Sequence, residues 1–125
     1  MKIEYLDGDD EFLPLIRMYE FQPEEVDVLC RICDNFANGK IREYVLHEQS
    51  WIKAITGCQF VWRVHQKDNG VIQTSTLAFE LTLKPESWIN VKEILLYFTQ
   101  RAPQCFHWLN EIGDAHVLIS YSGSW

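Results

Sequence analysis

The sequence lacks the short motifs that mark the commonest classes of enzyme site. It contains no G-x-x-x-x-G-K-[ST], G-x-S-x-G, H-E-x-x-H or G-x-G-x-x-G pattern. These patterns place phosphate-binding glycines, an exposed nucleophilic serine or zinc-binding histidines where the chemistry needs them. Their absence excludes the usual nucleotide-binding, serine-hydrolase and zinc-protease motifs, and it makes a non-catalytic module the leading hypothesis.

Positive charge is also scarce. The chain has 11 Lys and Arg against 18 Asp and Glu, which gives a net charge of −7 at pH 7. Residues 1–27 contain nine acids and two bases, so this N-terminal quarter accounts for the whole net charge. No basic stripe is present to release counterions from a phosphate backbone, so nucleic-acid binding is not expected. The acidic quarter fits a solvated surface, and it also suits the steering of a basic partner.

Long apolar runs are missing. The longest uninterrupted run, Ile94–Phe98, is far shorter than the roughly 20 residues that span a bilayer. Residues 1–10 lack the basic and apolar regions of a secretory signal. The sequence therefore predicts a cytoplasmic protein without membrane association, in which the cysteines are reduced thiols.

Two of the four cysteines form a C-x-x-C pair, Cys30 and Cys33. In redox proteins such a pair begins a helix, where the helix dipole lowers the pKa of the first thiol. Here both thiols lie inside a predicted helix on its apolar stripe, which favours core packing. Cys58 and Cys105 are single cysteines on other elements, so no zinc site and no cofactor is predicted.

The clearest structural signal lies in residues 58–83. Asn69-Gly70 separates two runs rich in β-branched and aromatic residues, a pattern typical of a two-residue type I′ hairpin. The predicted register places Phe60 opposite Phe79 and Val64 opposite Ser75. This pairing collects the large apolar side chains on one face and the polar ones on the other.

The remaining pattern predicts the order ββαβββαβ. Its elements are strands 2–6 and 12–21, a helix over 22–38, a strand over 40–48, the hairpin, a helix over 88–101 capped by Ser87, and a closing strand over 115–122. Residues 105–109 fit a further short strand, and 49–56 fit either a helical turn or an extended link. We therefore expect one α+β domain over residues 1–125. Its architecture is a two-layer sandwich, a mostly antiparallel sheet of five to six strands with both helices on one face, and a curled, barrel-like sheet is the alternative.

The outer face of the predicted hairpin is the best-defined polar surface in the sequence. The predicted register brings Arg63 and His65 of the first strand beside Thr74 and Thr76 of the second. Arg and protonated His donate charge-assisted hydrogen bonds, so these four residues are candidates for binding an anionic or hydroxylated ligand. A solvated sheet face is the ordinary alternative. A second candidate site pairs Cys105 with His107, a thiol beside an imidazole.

The leading functional hypothesis is a non-catalytic protein-binding or regulatory module. Aromatic residues make up 14% of the chain, and Val61, Ile72 and Ala78 lie on the outer side of the predicted hairpin. Apolar surface left outside a core usually marks an interaction site. The partner is expected to be another protein or a second copy of the chain, and a homodimer at micromolar concentration is predicted. The alternative is a small enzyme or ligand-binding domain that uses Arg63 with His65, or Cys105 with His107.

Overall fold

A computed structural model describes residues 1–8, 14–99 and 106–121. The described elements are β1 (Lys2–Leu6), β2 (Leu15–Tyr19), α1 (Pro23–Ala37), β3 (Glu43–Val45), β4 (Lys53–Ala54), β5 (Gln59–Val64), β6 (Gly70–Ser75), β7 (Ala78–Leu83), α2 (Pro85–Tyr97), β8 (Phe106–Asn110) and β9 (His116–Ser120). Short 3-10 turns follow β3 and β4.

The strands form two mixed sheets, one of five strands in the order β4-β1-β2-β9-β8 and one of four in the order β3-β5-β7-β6. The α+β class is confirmed. The prediction of one sheet of five to six strands is wrong, because the described strands form two sheets. Both sheets are mixed: four of the seven described strand pairs are antiparallel, and three are parallel, β1 with β4, β2 with β9, and β5 with β7.

The predicted hairpin pairing is also wrong. β5 does not pair with β6; β7 lies between them, parallel to β5 and antiparallel to β6. The predicted apolar face survives, since Phe60, Trp62, Phe79 and Leu81 are all buried. Phe60 still pairs with Phe79, because a parallel and an antiparallel register can share one residue pair. The alternation of apolar and polar residues correctly predicted which side chains face the core, but it did not predict which strands pair with each other.

The tight turn lies at Thr76-Leu77 rather than at Asn69-Gly70. Ser75 pairs with Ala78, and the register shifts between Gln73 and Ser75, so this hairpin contains a bulge. Neither turn residue has a positive φ. The turn therefore needs no Asn or Gly, and it leaves no signature in the sequence.

Gly70 has a positive φ of 73° for a different reason. A Cβ atom at this position would lie 2.1 Å from the carbonyl oxygen of Ile112. The β8–β9 loop approaches β6 here, with Val71 N–H donating to the Ile112 carbonyl at 3.0 Å and Asp114 N–H donating to the Val71 carbonyl at 2.8 Å. The contact joins the ends of the two sheets.

Both helices were predicted from their apolar stripes. α1 buries Val26, Leu29, Cys30, Cys33 and Phe36. Pro23 opens α1, and Gly39 follows its end with a positive φ, as expected. α2 begins at Pro85, three residues before the predicted start, so Ser87 lies inside the first turn rather than at the cap.

A single hydrophobic cluster connects the helices with both sheets. The Trp88 ring of α2 lies 5.0 Å from Trp62 of β5 and 4.8 Å from Phe36 of α1. The two sheets also touch directly, with the Tyr5 and Phe79 rings 4.5 Å apart. Aromatic side chains thus fill the space between the layers.

Two other strand predictions are confirmed in part, and the segment left open contains a little of both alternatives. The strand predicted over 12–21 appears as Leu15–Tyr19 in the centre of its sheet, and its first residues lie outside the described ranges. The strand predicted over 40–48 is reduced to Glu43–Val45. The ambiguous segment 49–56 contains the two-residue β4 and part of a 3-10 turn.

Candidate functional site

The four polar residues predicted as a cluster are not brought together. Arg63 pairs with Thr82 on β7, whereas Thr76 lies in the turn next to Ala78, which pairs with Gln59. Gln59 and Arg63 are four residues apart on β5, about 13 Å at the usual rise of a strand. His65 lies beyond Arg63, farther still from the threonines. The predicted cluster required antiparallel pairing of β5 with β6. Because these strands do not pair, its members lie apart.

Internal contacts occupy these side chains as well. Arg63 forms ion pairs with Glu80 at 3.1 Å and with Glu43 at 3.5 Å across the outer face of the four-stranded sheet. His65 Nδ1 accepts a hydrogen bond from the Lys67 backbone N–H at 3.2 Å. Thr74 Oγ1 donates to the Ala78 carbonyl at 3.3 Å. The arrangement fits a solvated sheet face.

The described cysteines are packed in the core. Cys30, Cys33 and Cys58 are buried free thiols. Burial raises the pKa of Cys30 and of Cys58 to about 11, and it raises that of Cys33 further. A thiol with a raised pKa stays protonated at neutral pH and is a poor nucleophile. The packing interpretation of Cys30 and Cys33 agrees with this burial.

Of the predicted Cys105–His107 pair, only His107 lies in the described ranges. Its ring centroid is 5.1 Å from that of Tyr97 and 5.6 Å from that of Phe98, both at the C-terminal end of α2. His107 is therefore the point where β8 meets α2.

An open groove of about 520 Å³ lies between α2 and β8. We call it the α2–β8 groove. One bank consists of Ser87, Asn90, Val91 and Ile94 of α2, and the other of the consecutive residues 107–112; Asp68 and Leu83 also line it. The α2 residues recur at helical spacing and form one stripe.

The groove follows the free edge of β8. Successive side chains of a strand point to opposite faces of its sheet, and the lining by consecutive residues of β8 fits a cavity beside the edge of this strand. β9 occupies one edge of β8, and no described strand occupies the other. A second cavity of about 450 Å³ shares Asn90, Ile94 and His107 and adds Glu93 and Tyr97, which extends the groove toward the end of α2.

The large hydrophobic side chains that the described residues expose belong to the end of α2, to β8 and to the loop after β8, and Tyr97, Trp108 and Ile112 among them line the two cavities of the groove. They are Leu96 (41% exposed), Tyr97 (57%), Phe106 (44%), Trp108 (37%) and Ile112 (51%). Scattered exposed apolar residues are ordinary, whereas exposed apolar residues grouped on neighbouring parts of the chain are typical of interaction surfaces.

The groove is acidic. Asp68, Glu93 and Glu111 line its two cavities, and none of the described lining residues is Lys or Arg. Asp68 is engaged internally, since its carboxylate accepts hydrogen bonds from the Lys84 backbone N–H and the Ser87 hydroxyl, both at 2.8 Å. Glu93 and Glu111 form no ion pair with the described residues, so both charges face solvent.

Hydrogen bonds hold the groove in shape. The Asp68 contacts fix the first turn of α2, and Asn110 Nδ2 donates to the Ile112 carbonyl at 2.7 Å. The same carbonyl accepts from Val71 N–H on β6. The two banks are thus attached to the four-stranded sheet, and a ligand meets a largely preformed surface.

Sequence reasoning missed this groove, although two weak signals were present. α2 carries more apolar residues than its buried stripe of Trp88, Val91 and Leu95 requires, and β8 carries two aromatic residues, Phe106 and Trp108, on one face. Both patterns indicate apolar surface outside the core. Neither has a motif, so composition alone gave no position for the site.

Comparison of the chain with models of known protein families, with curated proteins and with solved structures found no match. Among the described residues, no helix has both the length and the apolar character needed to cross a membrane.

Proposed function

We propose that this chain is a non-catalytic protein-binding module whose contact surface is the α2–β8 groove and the exposed apolar residues beside it. The observation that carries the proposal concerns the described residues: their large exposed hydrophobic side chains are confined to the end of α2, β8 and the loop after β8. Interfaces are typically enriched in aromatic anchors of this kind, with polar residues around them.

The outer face of the four-stranded sheet is a weaker candidate. Val61 and Ile72, which sequence reasoning placed on this face, are half-buried. The ion pairs of Arg63 with Glu43 and Glu80 cross the same face and divide its apolar area. Desolvating such charges on binding costs free energy, so an apolar partner gains less here than at the groove.

The rival enzyme hypothesis gains little from the geometry. Arg63 and His65 do not line the α2–β8 groove, and Arg63 is held by two carboxylates. His107 does line the groove, but its ring packs against Tyr97 and Phe98, and no carboxylate of the described residues forms a hydrogen bond with it. General acid–base or nucleophilic chemistry requires such a partner within hydrogen-bond reach.

A selection from a random displayed-peptide library tests the proposal. Purified ligands are measured against the wild type and against the double variant Tyr97→Ser/Trp108→Ser. Both side chains are exposed, so the variant should keep its fold, which circular dichroism checks. We expect the selected ligands to lose most of their affinity for the variant, because it removes two aromatic anchors.

The matched control is Val61→Thr/Ile72→Thr on the outer face of the four-stranded sheet. Threonine is β-branched and tolerated in strands, and it replaces apolar side-chain surface with a hydroxyl. Ligands that bind this control normally support the groove as the contact surface. Ligands that depend on Val61 and Ile72, or a selection that returns none depending on Tyr97 and Trp108, contradict it.

A further inference from the structure

We infer that the occupant of the α2–β8 groove is an extended segment of a partner protein, with apolar and basic residues in alternation, which adds to the free edge of β8 as a sixth strand. The inference rests on the proposed function and specifies its ligand. The recognition mode is strand addition, in which main-chain hydrogen bonds supply affinity and alternate side chains supply specificity.

The edges of the sheets point to β8 as the docking strand. Exposed sheet edges are usually kept short, charged or covered, since an open edge pairs with other chains. β3 has three residues including Glu43, β4 has two including Lys53, and the loop over 112–114 covers β6 through its hydrogen bonds with Val71. β8 has five residues and no charged one. Among the described edges, it alone lacks these protections.

The dimensions of the groove fit a short extended chain. Its α2 bank runs from Ser87 to Tyr97, about 15 Å at 1.5 Å per helical residue. Four or five extended residues cover that length. The register of β8 with β9 is regular over Phe106–Trp108 and shifts afterwards, so the added strand would pair along these three residues.

The side-chain pattern of the partner follows from the two faces of the sheet. In an added strand, alternate side chains point toward α2, where Ile94 and Tyr97 offer an apolar surface. The side chains between them point to the outer face beside Trp108. An Arg or Lys there can lie against the indole and reach Glu111, which combines a cation–π contact with an ion pair.

The charge of the groove distinguishes this partner from a second copy of the chain. A second copy would bring another Glu93 and Glu111 to the same surface, and facing carboxylates repel. A basic segment meets unpaired carboxylates instead. The acidic net charge of −7 would also accelerate its encounter at low salt.

The experiment uses a short acetylated and amidated peptide of alternating valine and arginine, titrated into the full chain. We expect binding, shifts of the amide signals of residues 106–110, and slower hydrogen exchange at the free edge of β8. Two control peptides replace arginine by glutamate or carry N-methylated backbone amides. Neither should bind, because the first has the wrong charge and the second cannot donate hydrogen bonds to a strand.

A charge exchange provides the specific protein variant. Glu93→Lys/Glu111→Lys should weaken binding of the arginine peptide by about tenfold or more, and it should create binding of the glutamate peptide. The matched control Glu24→Lys/Glu48→Lys alters net charge equally on exposed residues outside the groove. It should change the affinity by less than about threefold, through long-range electrostatics alone.

The outcomes separate the inference from the function on which it rests. Selected ligands that need Tyr97 and Trp108, but are neither basic nor sensitive to N-methylation, overturn the inference and leave the proposed function standing. The inference is also overturned if both Lys double variants weaken binding of the arginine peptide equally. It is overturned as well if the chain self-associates and Tyr97→Ser/Trp108→Ser abolishes this association, because the occupant would then be a second copy. If no ligand depends on Tyr97 and Trp108, both the proposed function and the inference are contradicted.

Discussion

Gly70 holds a position that no other residue fits, because two constraints coincide there. Its φ is positive, and a Cβ atom would overlap the backbone of Ile112. Gly39 is subject to only the first of these constraints. Its φ of 77° is similar, but nothing lies within 4 Å of the position that a Cβ atom would take.

We expect Gly70→Ala to lower the free energy of unfolding by about 3 kcal/mol or more, and Gly39→Ala by about 1 kcal/mol. The difference measures the steric part, because both variants carry the same strain from a positive φ. Urea unfolding of the three proteins gives the comparison. Equal losses would show that the β8–β9 loop does not approach Gly70 this closely.

The buried thiols make stability depend on alkaline pH. A thiol in the unfolded chain titrates near its ordinary pKa of about 8.5, whereas burial holds the pKa of Cys30 at about 11 and raises that of Cys33 further. Between these values the unfolded chain has lost protons that the folded chain keeps. The stabilisation is therefore complete below about pH 8 and declines as pH rises toward 11.

Urea unfolding at about pH 7.5 and pH 10 tests this dependence, with Cys30→Ala/Cys33→Ala as the comparison. The variant should be less stable at the lower pH, because it leaves space in the core, yet it should lose less stability on going to the higher pH. Tyr5 and Tyr44, whose pKa values burial also raises, titrate in both proteins and cancel in the comparison. Parallel losses in the two proteins would contradict the assignment.

At the scale of elements, the loop before β6 caps α2. The Asp68 carboxylate accepts from the Lys84 backbone N–H and from the Ser87 hydroxyl in the first turn. A side chain distant in sequence thus takes the place of a local capping residue. This contact explains why α2 begins at Pro85 although Ser87 was the predicted cap.

We expect Asp68→Ala to lower the free energy of unfolding by about 1–2 kcal/mol, because it removes the cap. Asp68→Asn should cost less than half as much, since its amide oxygen still accepts one hydrogen bond in nearly the same shape. Thermal or urea unfolding measures both. A loss as large for Asn as for Ala would mean that charge, rather than hydrogen bonding, stabilises this end of α2.

Elements with local signals were predictable from the sequence. α1 was found because Pro23, its apolar stripe and Gly39 all act within one helix, and β1 and the buried face of β5 follow from alternation. Strand neighbours were not predictable in the same way. The parallel pairing of β5 with β7 depends on the insertion of β7 between β5 and β6, and no residue of β5 specifies that order.

The candidate site was less predictable than the fold. Arg63 and Thr76 were grouped by a register that does not occur, whereas Tyr97 and Trp108 line neighbouring cavities because α2 packs beside β8. A binding surface made of exposed aromatic side chains has no motif. It becomes visible only when the folded chain shows which apolar residues the core leaves outside.

For the whole molecule, the acidic groove bears on self-association. The homodimer expected from sequence relied on apolar residues of the outer sheet face, which the ion pairs of Arg63 divide. A dimer through β8 would bring Glu93 and Glu111 of two copies together. We therefore expect a monomer in sedimentation at micromolar concentration and low ionic strength. A dimer under these conditions would indicate that a second copy binds the chain. If the dimer is lost in Tyr97→Ser/Trp108→Ser, the contact lies at the α2–β8 groove.

The parallel pairing of β2 with β9 sets the order in which the chain can fold as it is made. Ile16 pairs with Val117, so β2 lacks its β9 neighbour until the ribosome has synthesised all the residues between them. Because synthesis proceeds at about 5–20 residues per second, Ile16 and Met18 remain without their partner strand for several seconds or more. During that interval the nascent chain exposes an unpaired apolar strand edge, and chaperones bind exposed segments of this kind.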